Sequence, residues 1–200
     1  MIVYNKIILL GSPGAGKGTQ ADTLSENLKL KHVSSGELFR NEISKQSLLG
    51  KESKHYIENG LLVPDKLTNE IIINGLKDIM SKGFILDGFP RNLKQVYALE
   101  SIVDISLKTG LIVFFIKIEK ELAIDRLTVR SVQENRLDDK HDSVLKRIEI
   151  YENETKPIVE YFKNRGVLFE IDGSSSMDTV SKDILNIINT NMMLLPSEGI

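Results

Sequence analysis

The chain has 200 residues and a formal net charge of −2, with 27% charged residues of both signs and 41% hydrophobic ones. That length suits a single domain with a substantial core, and the near-balance of charge argues against broad electrostatic attachment to nucleic acid or an acidic membrane. Cysteine is absent, which excludes disulfides and thiolate zinc sites, and His32, His55 and His141 stand singly as surface or packing residues.

In chain order, the apolar run 7–10 predicts a strand and is too short for a secretory signal. No run reaches the ~18 apolar residues of a membrane span, so the expectation is a cytoplasmic chain. A helix is expected over 16–27, then a short strand at 32–34 opened to the next helix by Ser34 and Glu37 in a capping-box pattern. Helices over 36–45 and 48–58 follow without a strand between them, so the polar region 35–63 reads as a lobe projecting from the core. Pro64-Asp65 suits the entrance of a helix over 65–80, and the strand 84–86 precedes a helix over 93–101. The strand 111–118, helices over 119–130 and 143–163, the strand 167–171 between Gly166 and Gly173, and a helix over 179–188 complete the series. Residues 191–200 read as a loose end.

Every strand except the one at 32–34 is apolar enough to be expected buried on both faces. The βαβα order implies an α/β fold, a five-stranded parallel sheet flanked by helices, with ligands at the carboxyl ends of the strands.

Three clusters fall at those ends. Gly11-Ser12-Pro13-Gly14-Ala15-Gly16-Lys17-Gly18-Thr19-Gln20 lies between the first strand and the first helix, the context that a P-loop requires. Its glycines let backbone N–H groups turn inward, the helix adds its positive end, and Lys17 adds a mobile cation, so the ligand should be a nucleotide polyphosphate. Gly18 stands where most P-loops carry Ser or Thr and the hydroxyl arrives at Thr19, a wording of small kinases rather than switch GTPases.

The second cluster is Asp87-Gly88-Phe89-Pro90-Arg91. Asp87 is expected near Thr19, where it could orient the water shell of Mg²⁺ bridging phosphates, or else serve as a turn or helix cap. Arg91 brings a planar fork suited to phosphate. The third holds Arg126, Arg130, Arg136 and Arg147, with Asp138-Asp139 between. A spacing of four puts Arg126 and Arg130 on one helical face, where two like charges repel unless an anion lies between them.

Together with Ser34-Ser35-Gly36-Glu37-Leu38-Phe39-Arg40 and Gly60-Leu61-Leu62-Val63-Pro64-Asp65, these motifs resemble the adenylate kinase family from Lys6 to about residue 189. The resemblance implies a P-loop NTPase fold and the reaction ATP + AMP to two ADP with Mg²⁺ as cofactor. It implies one kinase domain over 1–200: a core of 1–34, 64–129 and 138–190, a helical NMP-binding lobe over 35–63, a short lid over 130–137 and the tail 191–200.

By that resemblance Gly14, Ala15, Gly16, Lys17, Gly18 and Thr19 hold ATP, with Arg130 in contact with it, Arg126 on its phosphates and the loop at Ser175 beside its base. Ser35, Arg40, Gly88, Phe89, Pro90 and Arg91 hold AMP, the backbone at Leu61, Leu62 and Val63 closes over its base, and Gln95 reads the Watson–Crick edge of adenine. Arg136 and Arg147 reach the AMP phosphate and the transferred group, so Lys17, Arg91, Arg126, Arg136 and Arg147 form the catalytic set, and Asp138-Asp139 orient the arginines. Only Ser131-Val132-Gln133-Glu134-Asn135 separate Arg130 from Arg136, which resembles the short-lid members, without zinc. The implied partners are ATP, AMP and ADP, with neither nucleic acid nor membrane, and a monomer is the family's usual state.

Two rival readings stand beside this one. Asn92 resembles the residue after the arginine in UMP/CMP kinases, although Ser35 and Gln95 do not follow that pattern. A P-loop switch ATPase or GTPase would need a base-specific motif such as Asn-Lys-x-Asp, which the sequence lacks.

Overall fold

The computed structural model describes residues 4–106, 109–134 and 141–194. Five parallel strands, β1 (Lys6–Gly11), β2 (Lys31–Ser34), β3 (Phe84–Asp87), β4 (Leu111–Lys117) and β5 (Leu168–Asp172), lie in the order β2-β3-β1-β4-β5. β1 is central: Leu9 is in register with Asp87 of β3 on one side and with Phe114 of β4 on the other. The phosphate-loop sequence therefore leaves the middle of the sheet at its carboxyl edge, where ligands of such folds bind.

Alternation along the strands divides the core in two. Ile8, Leu10, Phe84, Leu86, Val113 and Phe115 face α4 (Asp65–Leu76), α5 (Leu93–Glu100) and α8 (Pro157–Asn164). Ile7, Leu9, Ile85, Ile112, Phe114 and Ile116 face α1 (Lys17–Leu28) and α9 (Met177–Leu194). Fully burying each such side chain contributes about 1.5–3 kcal/mol, so the central strands hold the frame on which the loops sit. α2 (Ser35–Ser44) and α3 (Leu48–Glu58) pack on each other and form the strandless segment expected from the sequence. Ser34 Oγ accepts the Glu37 N–H at 3.4 Å, as its capping pattern foretells.

Several boundaries differ from expectation. β5 is not buried on both faces: it pairs with β4 alone, and Glu170 and Asp172, two apart and so on one face, are exposed. The expected helix over 143–163 is three pieces, α7 (His141–Ile150), a π-helical turn (Tyr151–Thr155) and α8. Pro157 opens α8 and cannot donate back into the ladder, so the hydrogen bonding widens before it. α4 stops at Leu76 and turns lead to Gly83. α6 (Lys120–Glu134) continues past the expected helix end at Arg130, so 131–134 of the expected lid are helical backbone. Residues 191–194 are not a loose end but the last turn of α9, which runs to Leu194; the rest of the expected tail, 195–200, lies outside the described residues.

Candidate active site

The loop 11–16 leads into α1 with Gly16 as a left-handed N-cap and no side chain capping the first turn. With no acidic residue in that turn, its N–H groups and positive dipole end are available to an anion. Lys17 curls back so that Nζ donates to the carbonyl oxygens of Gly11 at 2.9 Å and Ser12 at 2.8 Å, occupying the cradle's own acceptors. Burial pushes its ammonium down to about 8. Asp87 opposes that shift, while the guanidinium groups of Arg91, Arg147 and Arg130 add to it. The lysine is thus the centre of a cationic set contributed by α6, α7 and the β3–α5 turn.

Gly14 packs on Ala123 and Leu127, which brings the phosphate loop against the start of α6. Arg126 and Arg130, both half-buried, follow on that helix. Arg126 Nη1 donates to the Gly173 carbonyl at 3.0 Å, so it lies against the loop that contains half-buried Ser175. Asp87 Oδ2 is 3.6 Å from the point a Cβ on Gly18 would occupy, next to the exposed Thr19. On the other side Asp87 stands 3.9 Å from His32 Nε2, while His32 Nδ1 is 2.8 Å from Asp22 Oδ1. His32 is therefore packed between two carboxylates.

Two clefts adjoin this set. The larger, about 510 Å³ and open to solvent, is bounded by Gly11, Pro13, Lys17, Arg91, Arg147 and Pro90, among others. The smaller, about 310 Å³, lies beside α2 and is bounded by Ser35, Leu61, Leu62, Val63, Arg91 and Gln95. Leu62, Gly88 and Arg91 line both. The residues expected from the sequence around AMP are thus largely assembled in one place. Phe89 is an exception, since its side chain is buried in the core and it can offer only backbone to the cleft. Arg40 is half-buried and folds over Gly36, its Nη1 3.0 Å from where a Gly36 Cβ would stand. Arg136, Asp138 and Asp139, with the lid segment 135–137, lie outside the described residues.

Backbone at the turn after β3 is tightly held. The Gly88 carbonyl accepts from Ser35 Oγ at 2.8 Å and from Arg91 Nε at 2.7 Å. Three residues complete the support: Thr155, which the sequence reading passed over, and Gly60 and Asp65, which it used only as motif and helix-entrance residues. Thr155, in the π-helical turn, donates to the Arg91 carbonyl at 2.9 Å. Gly60 fits the lobe against α7, where Ser143 Oγ donates to the Glu58 carbonyl at 3.0 Å. Asp65 accepts from Asn92 Nδ2 and Gln95 Nε2, each at 2.9 Å. Asn92 Oδ1 caps α5 by accepting the Gln95 N–H at 2.9 Å, so both ends of its amide are committed within the protein. An aspartate at the mouth of a helix and a threonine in a helical pattern carry no sequence signal of these contacts.

A parallel sheet with a phosphate loop on its central strand, and a second cleft sharing an arginine with the first, defines a P-loop phosphotransferase that handles nucleotides. The adenylate kinase family model matches residues 9–167. The chain is 39% identical over 207 residues to an adenylate kinase of Caldanaerobacter subterraneus subsp. tengcongensis, covering 90% of this chain and 94% of that one. It is 38% identical over 208 residues to one of Thermoanaerobacter sp. (90% and 95% covered) and 37% identical over 210 residues to one of Clostridium tetani (91% and 97%). The chain belongs to the adenylate kinase family. Among the described residues no helix is long and apolar enough to cross a membrane, and no group of three or more His, Cys, Asp or Glu side chains could hold a metal ion.

Proposed function

We propose that this chain transfers the terminal phosphoryl group of ATP to AMP, giving two ADP, with the two nucleotides bound head to head, AMP in the smaller cleft and ATP on the phosphate loop, its phosphates reaching the larger cleft at Lys17. The observation that carries this reading is Arg91, which lines both clefts and stands within electrostatic reach of Lys17. ATP takes the loop Gly14–Thr19, with Arg126 and Arg130 on its phosphates and the Ser175 loop beside its base. AMP takes the smaller cleft, with Ser35, Arg40, Gly88 and Arg91 on its phosphate side, the backbone of 61–63 over its base and Gln95 on its edge. Arg147 faces the transferred group, and Arg136, outside the described residues, is assigned to it by the family resemblance.

No side chain needs to act as nucleophile or base in this arrangement. Lys17 and the arginines neutralise a loose, anionic transition state, and the closing walls exclude water. Thr19 and Asp87 supply hard oxygens at the start of α1, a donor set suited to Mg²⁺ that keeps waters and phosphate oxygens as its other ligands. Bound there, the ion neutralises phosphate charge.

The lobe 35–63 and the lid 130–137, whose first part is the last turn of α6, close over AMP and ATP respectively. A short lid is supported by the sequence, in which only five residues separate Arg130 from Arg136. The protein acts as a cytoplasmic monomer on ATP, AMP and ADP, without nucleic acid or membrane.

The test is a coupled assay with AMP, UMP, CMP and GMP as acceptors, on the wild type and on Lys17→Met and Arg91→Ala. AMP should be preferred, and each variant should lose about 10³ to 10⁵ in turnover with its melting temperature retained. ATP hydrolysis without dependence on acceptor, or near-normal turnover in either variant, would overturn the reading.

A further inference from the structure

Gln95 is buried, 1% exposed, and its amide is held by two partners that each work in one direction only. Oε1 accepts the backbone N–H of Arg91 at 2.8 Å, and a backbone N–H cannot accept. Nε2 donates to Asp65 Oδ1 at 2.9 Å, and an ionised carboxylate cannot donate. Asp65 is itself steadied by Asn92 Nδ2 on the same oxygen. One lone pair of Oε1 and one hydrogen of Nε2 remain, on a residue that lines the smaller cleft.

An amide is two-faced, because turning it by half a revolution exchanges donor and acceptor. Adenine presents a donor at N6 and an acceptor at N1. A 6-oxopurine presents the reverse, an acceptor at O6 and a donor at N1. Gln95 alone could therefore read either base by reversing its amide. Reversal here would set N–H against the Arg91 N–H and C=O against the Asp65 carboxylate, forfeiting two hydrogen bonds and adding two repulsions.

We propose that Asp65 is a specificity-determining positioning residue: its carboxylate, with the Arg91 N–H, fixes the orientation of the Gln95 amide so that the cleft accepts adenine monophosphate and rejects 6-oxopurine monophosphates. The proposal rests on the reading of Gln95 as the residue facing the base. Asp65 is at the first position of α4 and acts through Gln95 without touching the nucleotide.

The experiment compares AMP with IMP, which carries the oxo edge without the extra amino group of guanine, as acceptors for the wild type, Asp65→Asn, Asp65→Ser and Gln95→Leu. Asn and Ser can both donate and accept, so either releases one of the two locks, and Ser suits a helix start should Asp65→Asn fold poorly. The ratio of kcat/KM for IMP to that for AMP should rise about tenfold in Asp65→Asn or Asp65→Ser, the equivalent of one hydrogen bond to a charged group, with KM for ATP unchanged. A parallel loss on both acceptors with the ratio unchanged would mean a merely structural role and would overturn the proposal, provided that Gln95→Leu impairs AMP use. If Gln95→Leu leaves AMP kinetics intact, the reading of Gln95 fails first, and the role of Asp65 falls with it.

Discussion

The hydroxyl of Ser35 donates to the carbonyl of Gly88 at 2.8 Å, tying the first residue of α2 to the turn that follows β3. Gly88 has φ of +74°, and a Cβ there would stand 2.7 Å from Ser35 Oγ and 3.0 Å from Arg91 Nη2. Gly88→Ala therefore both strains the backbone and displaces the two side chains that its carbonyl gathers. Turnover with AMP should fall roughly a hundredfold, the scale of an ångström's misplacement at a reacting centre. ATP binding measured by calorimetry should stay within a few-fold of wild type, and an equal loss of both would count against this division of roles.

Gly60 marks the contact between the lobe and α7. Its φ is +67°, and an added Cβ would meet the Ser143 carbonyl oxygen at 2.5 Å and Arg147 Cγ at 3.0 Å. Gly60→Val should hold the lobe off α7 and raise KM for AMP by about tenfold, the equivalent of ~1.4 kcal/mol, while KM for ATP changes little. Steady-state kinetics with both substrates varied will show this, and a selective rise in KM for ATP would contradict it.

The position of Lys17 predicts that nucleotide binding depends on pH. Its ammonium titrates at about 8 in the free protein, against 10.5 ordinarily, chiefly through burial. Between these values the free cradle holds a neutral amine, and an arriving triphosphate favours its reprotonation. Metal-free ATP should therefore bind with proton uptake at pH 9 and with little at pH 7, and affinity should fall by at most about tenfold per pH unit above 8. The sign for stability is the opposite: in that window the unfolded chain binds the proton and the folded one does not, so this group's contribution rises with pH. Calorimetry in buffers of different ionisation enthalpy measures the uptake, and Lys17→Met should abolish it.

Thr155 supports Arg91 from the π-helical turn, and its side chain is largely buried. Thr155→Val keeps the shape and leaves the Arg91 carbonyl without that donor, at a cost of about 1 to 3 kcal/mol. Turnover should drop about tenfold and Thr155→Ser should restore most of it, an order consistent with one lost hydrogen bond. Failure of the serine to rescue would point to packing by the methyl group instead.

What the sequence made legible, and what it did not, divides along physical lines. Strands β1, β3 and β4 are unbroken apolar runs, and the phosphate loop and the Asp87–Arg91 turn follow them directly, so short-range pattern suffices to find them. β5 opens apolar with Leu168 and Phe169 and then sets Ile171 between Glu170 and Asp172, and only the sheet order tells that among the described residues no strand lies beyond it. The π-helical turn hides inside a helical periodicity, because one widened turn scarcely disturbs the spacing of apolar residues. Asp65 and Thr155 bond to residues 30 and 64 positions away, at Gln95 and Arg91, and such partnerships exist only once the sheet has set the distances. The arginines were found by charge and spacing, whereas their gathering around Lys17 is a property of the assembled helices.

The central place of β1 has a consequence for the order of synthesis. The strand that leaves the ribosome first pairs with β3 and β4, neither of which has yet been translated, and α1 is bonded through Gln20 to Met177 and Ser181 near the far end. A nascent chain thus carries its phosphate loop unsupported until β3, β4 and the start of α9 have been made, and nucleotide capture waits for them.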